Sequence, residues 1–264
     1  MKKIKLILVA SWCCLLISCF GGSSNKKNET KVVSNLEKIY ITKELKIEMN
    51  ALVANLVRLG EFKFIERVLT PKEKKVEPTF LLDLEKAKTL ATRNEKLSAV
   101  MMYYVDMQVA KLYDLPLENH KNVITKLEQE INSPMVVDEL TETTSVTRND
   151  LYSLYDSSLK TKELDKFWLQ LTAGLIENMY VISHDPDRYL VGMTDDYASR
   201  LGRILKITAK ATLLVQDLHP QLKSLNQVMT PIYKINAVKT SELREQILTN
   251  KAEIEKVRAY MLGQ

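Results

Sequence analysis

The stretch AVMMYYVDMQVAKLY, residues 99–113, carries apolar side chains on nearly every side of the helix that its composition favours. A helix at the surface of a soluble domain keeps a polar face, whereas a helix that is apolar all round is typical of a buried position. We therefore expect this stretch to form the central and most buried helix of the fold. Because methionine and tyrosine can also line a ligand groove, a carrier site for an apolar ligand near Met101–Met107 is the alternative interpretation.

The rest of the chain extends this helical pattern. Its 264 residues include only seven glycines and seven prolines, and runs rich in Leu, Lys, Glu and Ala dominate. The alternation of β-branched and polar residues that marks strands forms no convincing series. The sequence therefore predicts an all-α fold, a single bundle of roughly seven to nine helices over residues 33–264, a length sufficient for one large core.

Apolar residues at helical spacing and the turn residues between them set the expected boundaries. The first helix is expected to end at Gly60, and the helix of the opening stretch is expected to break near Asn94. Gly174 lies inside a predicted helix, where glycine costs about 1 kcal/mol relative to alanine, so a close helix crossing is expected there. The predicted helical segments are 33–59, 62–69, 81–113, 116–131, 149–155, 161–183, 194–218, 222–233 and 241–261, with loops at 71–78 and 141–148.

The N-terminal segment has the order of a secretory signal. Three lysines among the first five residues accompany an apolar run at 4–17, which is too short for a membrane span of about 20 residues. The segment ends in LISC, residues 16–19, and so resembles the signal of bacterial lipoproteins. The resemblance implies that residues 1–18 are a signal peptide and that Cys19 is diacylated and anchors the body to a membrane. An ordinary secretory signal that ends near a cysteine by chance is the alternative.

Residues 19–32 join this cysteine to the predicted bundle. The sequence FGGSSNKKNETK at 20–31 has too little apolar surface to fold and predicts a flexible tether. In lipoproteins of Bacteroidetes-type bacteria, acidic residues just after the cysteine act as a surface-export signal, and that pattern is not evident here. The resemblance thus implies a lipid-anchored protein of the cell envelope, at the outer membrane and facing the periplasm. Exposure at the cell surface is the alternative.

Two apolar segments of the body are also similar to a group of uncharacterised helical lipoproteins from Bacteroidetes-type bacteria. They are AVMMYYVDMQVAKLY at 99–113 and GLIENMYVIS at 174–183, with a polar region between them. The similarity covers residues 90–215 and includes no catalytic motif. It implies the helical fold and the envelope compartment, and it implies no activity.

Charge and cysteine content exclude some classes of function. The formal net charge of +5 comes from the N-terminal lysines, because residues 33–264 contain 32 basic and 32 acidic side chains. A neutral body has no global field that attracts nucleic acid, so nucleic-acid binding is not expected. Cys13 and Cys14 lie in the predicted signal and Cys19 is the expected lipidation site. We therefore expect a body without a disulfide or a free thiol.

The loop at residues 183–196 is the densest polar cluster in the body. Paired carboxylates could serve as acid and base in a hydrolase, or the loop could contact a partner, because functional groups concentrate on loops held by a rigid scaffold. The favoured interpretation is an inter-helix connection with an Asp-Pro turn, followed by a helix that Thr194 caps. The candidate residues are His184, Asp185, Asp187, Arg188, Asp195 and Asp196.

No catalytic residue, metal site or cofactor is expected from the motifs. In the polar loop, Tyr189 and Leu190 occupy positions where a calcium loop needs an oxygen ligand and a glycine. The three histidines, His120, His184 and His219, follow no zinc-binding spacing, and a site assembled from them in space is the less favoured alternative. Serine nucleophiles lack the Gly-x-Ser-x-Gly elbow.

A basic stripe, defined as Arg200, Arg203, Lys206 and Lys210, recurs every three or four residues along one predicted helix. Such a stripe could meet phospholipid headgroups, lipopolysaccharide or the carboxylates of peptidoglycan. More often it is the solvated face of an amphipathic helix or the partner of an acidic helix, and we favour this interpretation.

The last predicted helix, at 241–261, carries a seam with the spacing of a coiled coil. The polar Asn250 within it is the kind of residue that fixes register between chains. A helix packed on its own domain has the same spacing, and we favour this second interpretation together with a monomer. The seam consists of Leu243, Ile247, Asn250, Ile254, Val257 and Met261.

Three functional hypotheses remain open. The first is a non-enzymatic, membrane-anchored helical protein whose body binds an envelope protein or glycan, or supports the envelope structurally. The second is an envelope hydrolase with a site near the 183–196 loop, and the third is a carrier of an apolar ligand. A close-packed bundle favours the first, a concave site with converging polar groups favours the second, and a long apolar cavity favours the third.

Overall fold

Helices make up the regular structure of the described residues. The computed structural model describes residues 43–61, 69–76, 78–132, 148–217 and 219–264. These ranges contain α-helices and three short 3₁₀ segments but no strand, so the all-α prediction is confirmed. None of their helices is long and apolar enough to cross a membrane. The predicted signal, Cys19, the tether, the start of the first predicted helix and most of the segments predicted at 62–69 and 141–148 lie outside the described residues.

Ten α-helices occur in the described part of the chain, nine of them with at least ten residues and one with a single turn. They are α1 (Lys43–Glu61), α2 (Arg93–Leu112), α3 (Glu118–Glu130), α4 (Arg148–Lys160), α5 (Leu164–His184), α6 (Pro186–Tyr189), α7 (Asp195–Val215), α8 (Pro220–Met229), α9 (Thr240–Thr249) and α10 (Lys251–Met261). The 3₁₀ segments are Glu73–Lys75, Leu84–Thr89 and Ile232–Lys234.

Two predicted boundaries lie within two residues of the observed ones. α1 continues through Gly60 to Glu61, so this glycine does not end the helix. The break predicted near Asn94 lies before that residue, because Thr92 caps α2. The Thr92 hydroxyl accepts a hydrogen bond from the Glu95 N–H at 3.2 Å, and the Glu95 carboxylate accepts one from the Thr92 N–H at 3.3 Å. This reciprocal capping box satisfies two backbone donors and fixes the start of the helix.

α5 is more enclosed than α2, so the expectation that α2 is the most buried helix is wrong. Fifteen of the 21 residues of α5 are buried, against eleven of the 20 residues of α2. The reason is the number of neighbours. α5 packs against α2, α4, α8, α9 and α10, whereas α2 has its main contacts with α3, α5 and α10.

The methionine- and tyrosine-rich run of α2 contributes to the core. Met102 and Tyr103 have no exposed surface, and Met107 is almost fully buried. A Cβ atom placed on Gly174 of α5 would lie 3.4 Å from Met101 Cε. The Met101 side chain therefore occupies the space beside this glycine, and no described backbone atom of a neighbouring helix lies within 4 Å of the added Cβ, so the close backbone approach predicted at Gly174 is not found.

The C-terminal segment forms two helices, so the single helix predicted at 241–261 is wrong. Asn250 has φ −97° and ψ 12°, which interrupts the helix between α9 and α10. Its Nδ2 donates a hydrogen bond to the Gln246 carbonyl oxygen at 2.8 Å. Asn250 thus bonds within its own chain at the break. The apolar seam residues are buried in the chain's own core, as the favoured interpretation predicted, and these residues are Leu243, Ile247, Ile254, Val257 and Met261.

Candidate functional site

The predicted loop between α5 and α7 is attached to distant segments through Arg188. Asp185 Oδ1 accepts a hydrogen bond from the Arg188 N–H at 3.0 Å and so begins α6. Arg188 Nε lies 2.8 Å from Asp185 Oδ2, a charge contact in which the N–H is not aligned with the oxygen. Arg188 Nη1 donates to the Tyr113 hydroxyl at 2.7 Å, and Nη2 lies 3.7 Å from Glu73 Oε1. Arg188 therefore joins the loop to the end of α2 and to the 3₁₀ segment at 73–75.

The carboxylates of this loop attach α9. Asp187 accepts two hydrogen bonds from Arg244 of α9, at 2.9 and 3.1 Å, and this contact lowers the pKa of the Asp187 carboxyl. Asp195 Oδ1 accepts a hydrogen bond from the Thr240 N–H at 2.8 Å. Thr194 occupies the capping position of α7, but its side chain makes no capping hydrogen bond, so the predicted threonine cap is wrong in this detail.

His184 packs between aromatic rings at the end of α5. Its imidazole stacks on Phe80 with ring centres 4.9 Å apart and meets Tyr180 edge-on at 4.5 Å. Its Nδ1 lies 2.9 Å from the Tyr180 carbonyl oxygen. Since His184, Asp187 and Arg188 contact other parts of the chain, and Asp185 holds Arg188 within the loop, the loop is built as a connection between helices.

Two residues of the basic stripe attach α7 to α1. Arg200 Nη1 donates to Asn55 Oδ1 at 3.4 Å, and the Lys210 ammonium group forms an ion pair with the Glu48 carboxylate. Higher residue numbers on α7 pair with lower numbers on α1. The two helices are therefore antiparallel, and the C-terminal end of α7 lies beside the N-terminal half of α1.

Further contacts of the basic stripe lie within α7. Arg200 Nε donates to Asp196 Oδ2 at 2.6 Å, one helical turn earlier. Arg203 Nη2 donates to Ser199 Oγ at 2.9 Å, and Lys206 is exposed. The stripe is thus partly an attachment to α1 and partly a solvent-facing surface.

A buried charge cluster, defined as Asp106, Glu177 and Arg258, lies where α2, α5 and α10 meet. Asp106 and Glu177 have no exposed surface, and only 12% of the Arg258 side chain is exposed. Arg258 donates to both Glu177 oxygens, at 2.6 and 2.8 Å, and its guanidinium lies 4.0 Å from the centre of the Tyr180 ring. Asp106 Oδ2 accepts a hydrogen bond from the Leu82 N–H at 2.7 Å. The planar guanidinium is therefore held by a paired carboxylate and an aromatic face.

This cluster contains one more carboxyl than its single guanidinium can neutralise. Burial, and then the negative charge of Glu177, raise the pKa of Asp106 well above its usual range. No donor among the described residues reaches the buried Asp106 Oδ1. A proton on this oxygen supplies the missing hydrogen bond, with Glu177 as acceptor. We therefore expect a neutral Asp106 beside the Glu177–Arg258 ion pair.

A carboxylic acid of raised pKa beside a carboxylate can act as a general acid–base pair. Here both carboxyls are fully buried, so no substrate reaches them in this conformation. Their position is instead suited to holding the chain. Asp106 binds the Leu82 N–H, and the Tyr103 hydroxyl donates to the Asp83 carbonyl oxygen at 2.8 Å. α2 thereby fixes the backbone that leads into the 3₁₀ segment Leu84–Thr89.

Sequence reasoning did not single out the buried charge cluster. Asp106 and Glu177 are each a lone acid in an apolar run, MYYVDMQV and GLIENMYV. This pattern is the signal that could have identified them, because a charged side chain within a buried run requires a partner. Arg258 carries no such signal, since its sequence neighbourhood contains other charged residues, among them Glu255 and Lys256.

An open groove of about 720 Å³, here called the lysine groove, lies between the 3₁₀ segment Leu84–Thr89, the start of α2 and one face of α3. Because Asp106 and Tyr103 fix the backbone just before the 3₁₀ segment, the core of the protein positions one wall of this groove. Its apolar lining consists of Leu84, Ala87, Leu90, Val123 and Leu127. Its polar lining consists of Glu85, Lys88, Lys96, Asn119, Asn122, Lys126 and Glu130.

Three lysines against two glutamates give the lysine groove a positive character. Lys96 Nζ forms an ion pair with Glu130 at 2.8 Å, and Lys88 pairs with Glu85. The hydrogen bond from Lys96, followed by the charges of Lys96 and Lys126, lowers the pKa of Glu130. The groove therefore combines cationic side chains with an apolar lining, which suits a partner that carries negative charges and apolar side chains.

The three histidines lie on different elements. His120 is buried in α3, His184 ends α5, and His219 precedes α8 with its Nδ1 3.5 Å from Asp165 Oδ1. Across the ranges that the structure describes, no group of three or more His, Cys, Asp or Glu side chains is placed to hold a metal ion.

No family model matches this chain, and no curated protein or solved structure matches it significantly. Its function is therefore argued from the predicted signal and from the geometry of the described residues.

Proposed function

We propose that this protein is a non-enzymatic, lipid-anchored protein of a bacterial cell envelope, and that its helical body binds an acidic, partly apolar segment of a partner protein. The lysine groove is the observation that carries the binding part of the proposal. The anchoring part rests on the sequence LISC at 16–19 and its resemblance to lipoprotein signals.

The chemistry of the lysine groove favours a polypeptide segment with both acidic and apolar side chains. Because Lys88 and Lys96 are paired with Glu85 and Glu130, the excess positive charge of the groove is that of Lys126, which attracts carboxylates and disfavours basic segments. Leu84, Ala87 and Val123, which are partly exposed, offer apolar surface against which a partner's side chains can be buried. An amphipathic helix or an extended segment presents both kinds of group along one face.

The contacts of the polar loop at 183–196 argue against a ligand site in this loop. Asp185, Asp187, Arg188 and Asp195 have partners within the chain, so a ligand that used them would first break these contacts. The strongly perturbed carboxyl, Asp106, lies in the closed core and away from solvent. A binding function therefore fits the described residues better than hydrolysis at this loop.

Anchoring is tested by the Cys19→Ser variant in cells. Several acyl chains anchor a protein stably, whereas a protein without them has no such attachment. We expect wild type in the membrane fraction and the variant in the soluble envelope fraction. A variant that is still cleaved before residue 19 and still sediments with the membrane would contradict lipid anchoring at Cys19.

Partner binding is tested by a photo-crosslinking amino acid placed at Asn122 in the lysine groove, with the same amino acid at the exposed Lys223 of α8 as control. We expect a specific crosslinked protein only from position 122, and mass spectrometry should place the crosslink in a segment rich in Asp and Glu. The charge reversal Lys126→Glu should remove this product. Identical products from both positions, or products that Lys126→Glu leaves unchanged, would refute the groove as the binding site.

A further inference from the structure

Exposed aliphatic side chains meet at one end of the α1–α7 pair. Ile47 of α1 is 57% exposed, and Leu213 and Leu214 of α7 are 53% and 44% exposed. Lys210 pairs with Glu48, which is adjacent to Ile47, and the two leucines follow one helical turn after Lys210. The antiparallel arrangement therefore brings these three residues to the same end of the helix pair, here called the apolar end.

Basic residues continue from this apolar end along the exposed face of α7. Arg203, Lys206, Lys210 and Leu213 follow one another at intervals of three or four residues and so share one face of the helix. Arg203 and Lys206 are exposed. One acidic residue, Asp217, is exposed just beyond the helix. The face thus changes from basic to apolar toward the C-terminal end of α7.

The short distance along the chain between Cys19 and the apolar end indicates which surface this end contacts. Cys19 precedes Ile47 by 28 residues along the chain, and Ile47 is among the first residues that the structure describes. This step rests on the proposed lipid anchor at Cys19. With Cys19 in the membrane, the apolar end contains the described residues that are closest to the membrane along the chain. Lysine side chains can meet lipid phosphates while aliphatic side chains enter the boundary with the acyl chains.

We infer that the apolar end of α1 and α7 docks on the membrane that holds Cys19, with Ile47, Leu213 and Leu214 in the acyl boundary and Lys206 at anionic phospholipid headgroups. This contact orients the body on the bilayer, while the lipid on Cys19 retains it there. Docking gives the rest of the body, including the lysine groove, a fixed orientation relative to the membrane plane.

The test uses the mature, lipidated protein with the variant Leu214→Cys, labelled with an environment-sensitive fluorophore. Because Cys19 is acylated and Cys13 and Cys14 lie in the signal, the introduced thiol is the reactive one. The matched control is Val238→Cys, which replaces a residue that is 56% exposed. Position 238 lies near the opposite end of α7, since Thr240 binds Asp195 at the start of that helix.

Both labelled proteins are reconstituted into phosphatidylcholine vesicles with or without phosphatidylglycerol. With the anionic lipid, the fluorophore at position 214 should shift to the blue and be quenched by nitroxide-labelled lipid, whereas the fluorophore at 238 should do neither. High salt and the Lys206→Glu variant should weaken the response at 214, because both remove the attraction to phosphate.

Equal behaviour of positions 214 and 238 would overturn the docking inference and leave lipid anchoring intact. A blue shift at 214 that appears without vesicles and grows with protein concentration would assign the apolar end to self-association instead. If Cys19 carries no lipid, both labelled proteins remain outside the vesicle fraction, and the anchoring proposal fails together with the inference.

Discussion

The buried charge cluster and the polar loop at 183–196 both hold helices together through bidentate arginine–carboxylate contacts, but in different surroundings. In the cluster, Arg258 binds Glu177 with 12% and 0% of their side chains exposed. In the loop, Arg244 binds Asp187 with 45% and 77% exposed. These two contacts thus join the same functional groups, one in the core and the other at the surface.

Solvent decides how much each contact matters for folding. Water and salt screen the exposed pair, so loss of one partner leaves a charge that is readily hydrated. Removal of one partner from the buried pair leaves a charge that water cannot reach, which is strongly destabilising. The density of polar residues, which draws attention to the loop in the sequence, is therefore a poor guide to where electrostatics control stability.

The largest expected effect is that of Arg258→Met. This variant leaves Glu177 without its guanidinium and beside the second buried carboxyl of Asp106. We expect a loss of about 3 to 5 kcal/mol in the free energy of unfolding, which urea denaturation followed by circular dichroism measures. The double variant Glu177→Met with Arg258→Met should recover much of this loss, because no uncompensated charge remains.

Arg244→Met is the matched control for this variant, since it removes the same kind of bidentate contact at the surface. It should leave the denaturation midpoint close to that of wild type. Equal losses from Arg258→Met and Arg244→Met would show that burial does not separate the two contacts, and the comparison would then fail.

Most of the helical fold could be predicted from the sequence, but the ranking of its helices could not. Apolar spacing predicts α3, α5, α7 and α8 to within a few residues at most ends. Helix α5 nevertheless exceeds α2 in burial, because burial depends on how many neighbours surround a helix in space. The break at Asn250 was missed because the apolar seam keeps its spacing across it.

The second expected effect concerns the proton on Asp106. Because the pKa of Asp106 is raised in the folded protein, the folded state keeps a proton that the unfolded chain has already lost. The resulting stabilisation is complete below the unfolded pKa of about 3.9 and is lost as pH rises through the folded pKa. Its slope is at most about 1.4 kcal/mol per pH unit for one proton.

Asp106→Asn tests this proton, because an asparagine reproduces the neutral acid. Its amide oxygen can accept from the Leu82 N–H, and its NH₂ group can donate to Glu177. We expect the variant to match wild type near pH 4 and to be more stable than wild type at pH 7, as measured by denaturation across this range. A variant that is less stable than wild type at pH 7 would indicate that Asp106 is ionised in the folded protein.

The candidate sites, like the features of the fold, divide into those that could be predicted from the sequence and those that could not. The polar loop was found from the sequence, since its residues are neighbours along the chain, and its favoured interpretation as a connection agrees with the contacts of Arg188 and Asp187. The lysine groove and the buried cluster were not found. Each is assembled from separate segments, such as 84–90 with α3, and only their meeting in space brings Lys88 near Lys126 or Asp106 near Arg258.

The smallest expected effect is that of Asp187→Asn, and it has the opposite dependence on pH. The contact with Arg244 lowers the pKa of the Asp187 carboxyl, so its stabilisation is present above the unfolded pKa of about 3.9 and is lost as pH falls through the folded pKa. The exposure of both partners to solvent keeps this contribution small and sensitive to salt. We therefore expect Asp187→Asn to match wild type at pH 7 in high salt, and to be slightly less stable at pH 7 in low salt.

This low-salt difference should shrink as the pH falls below 4, whereas the advantage of Asp106→Asn should grow as the pH rises above 4. A large, salt-independent loss from Asp187→Asn at pH 7 would show that the loop contact behaves like the buried cluster, and it would remove the distinction between the two regions.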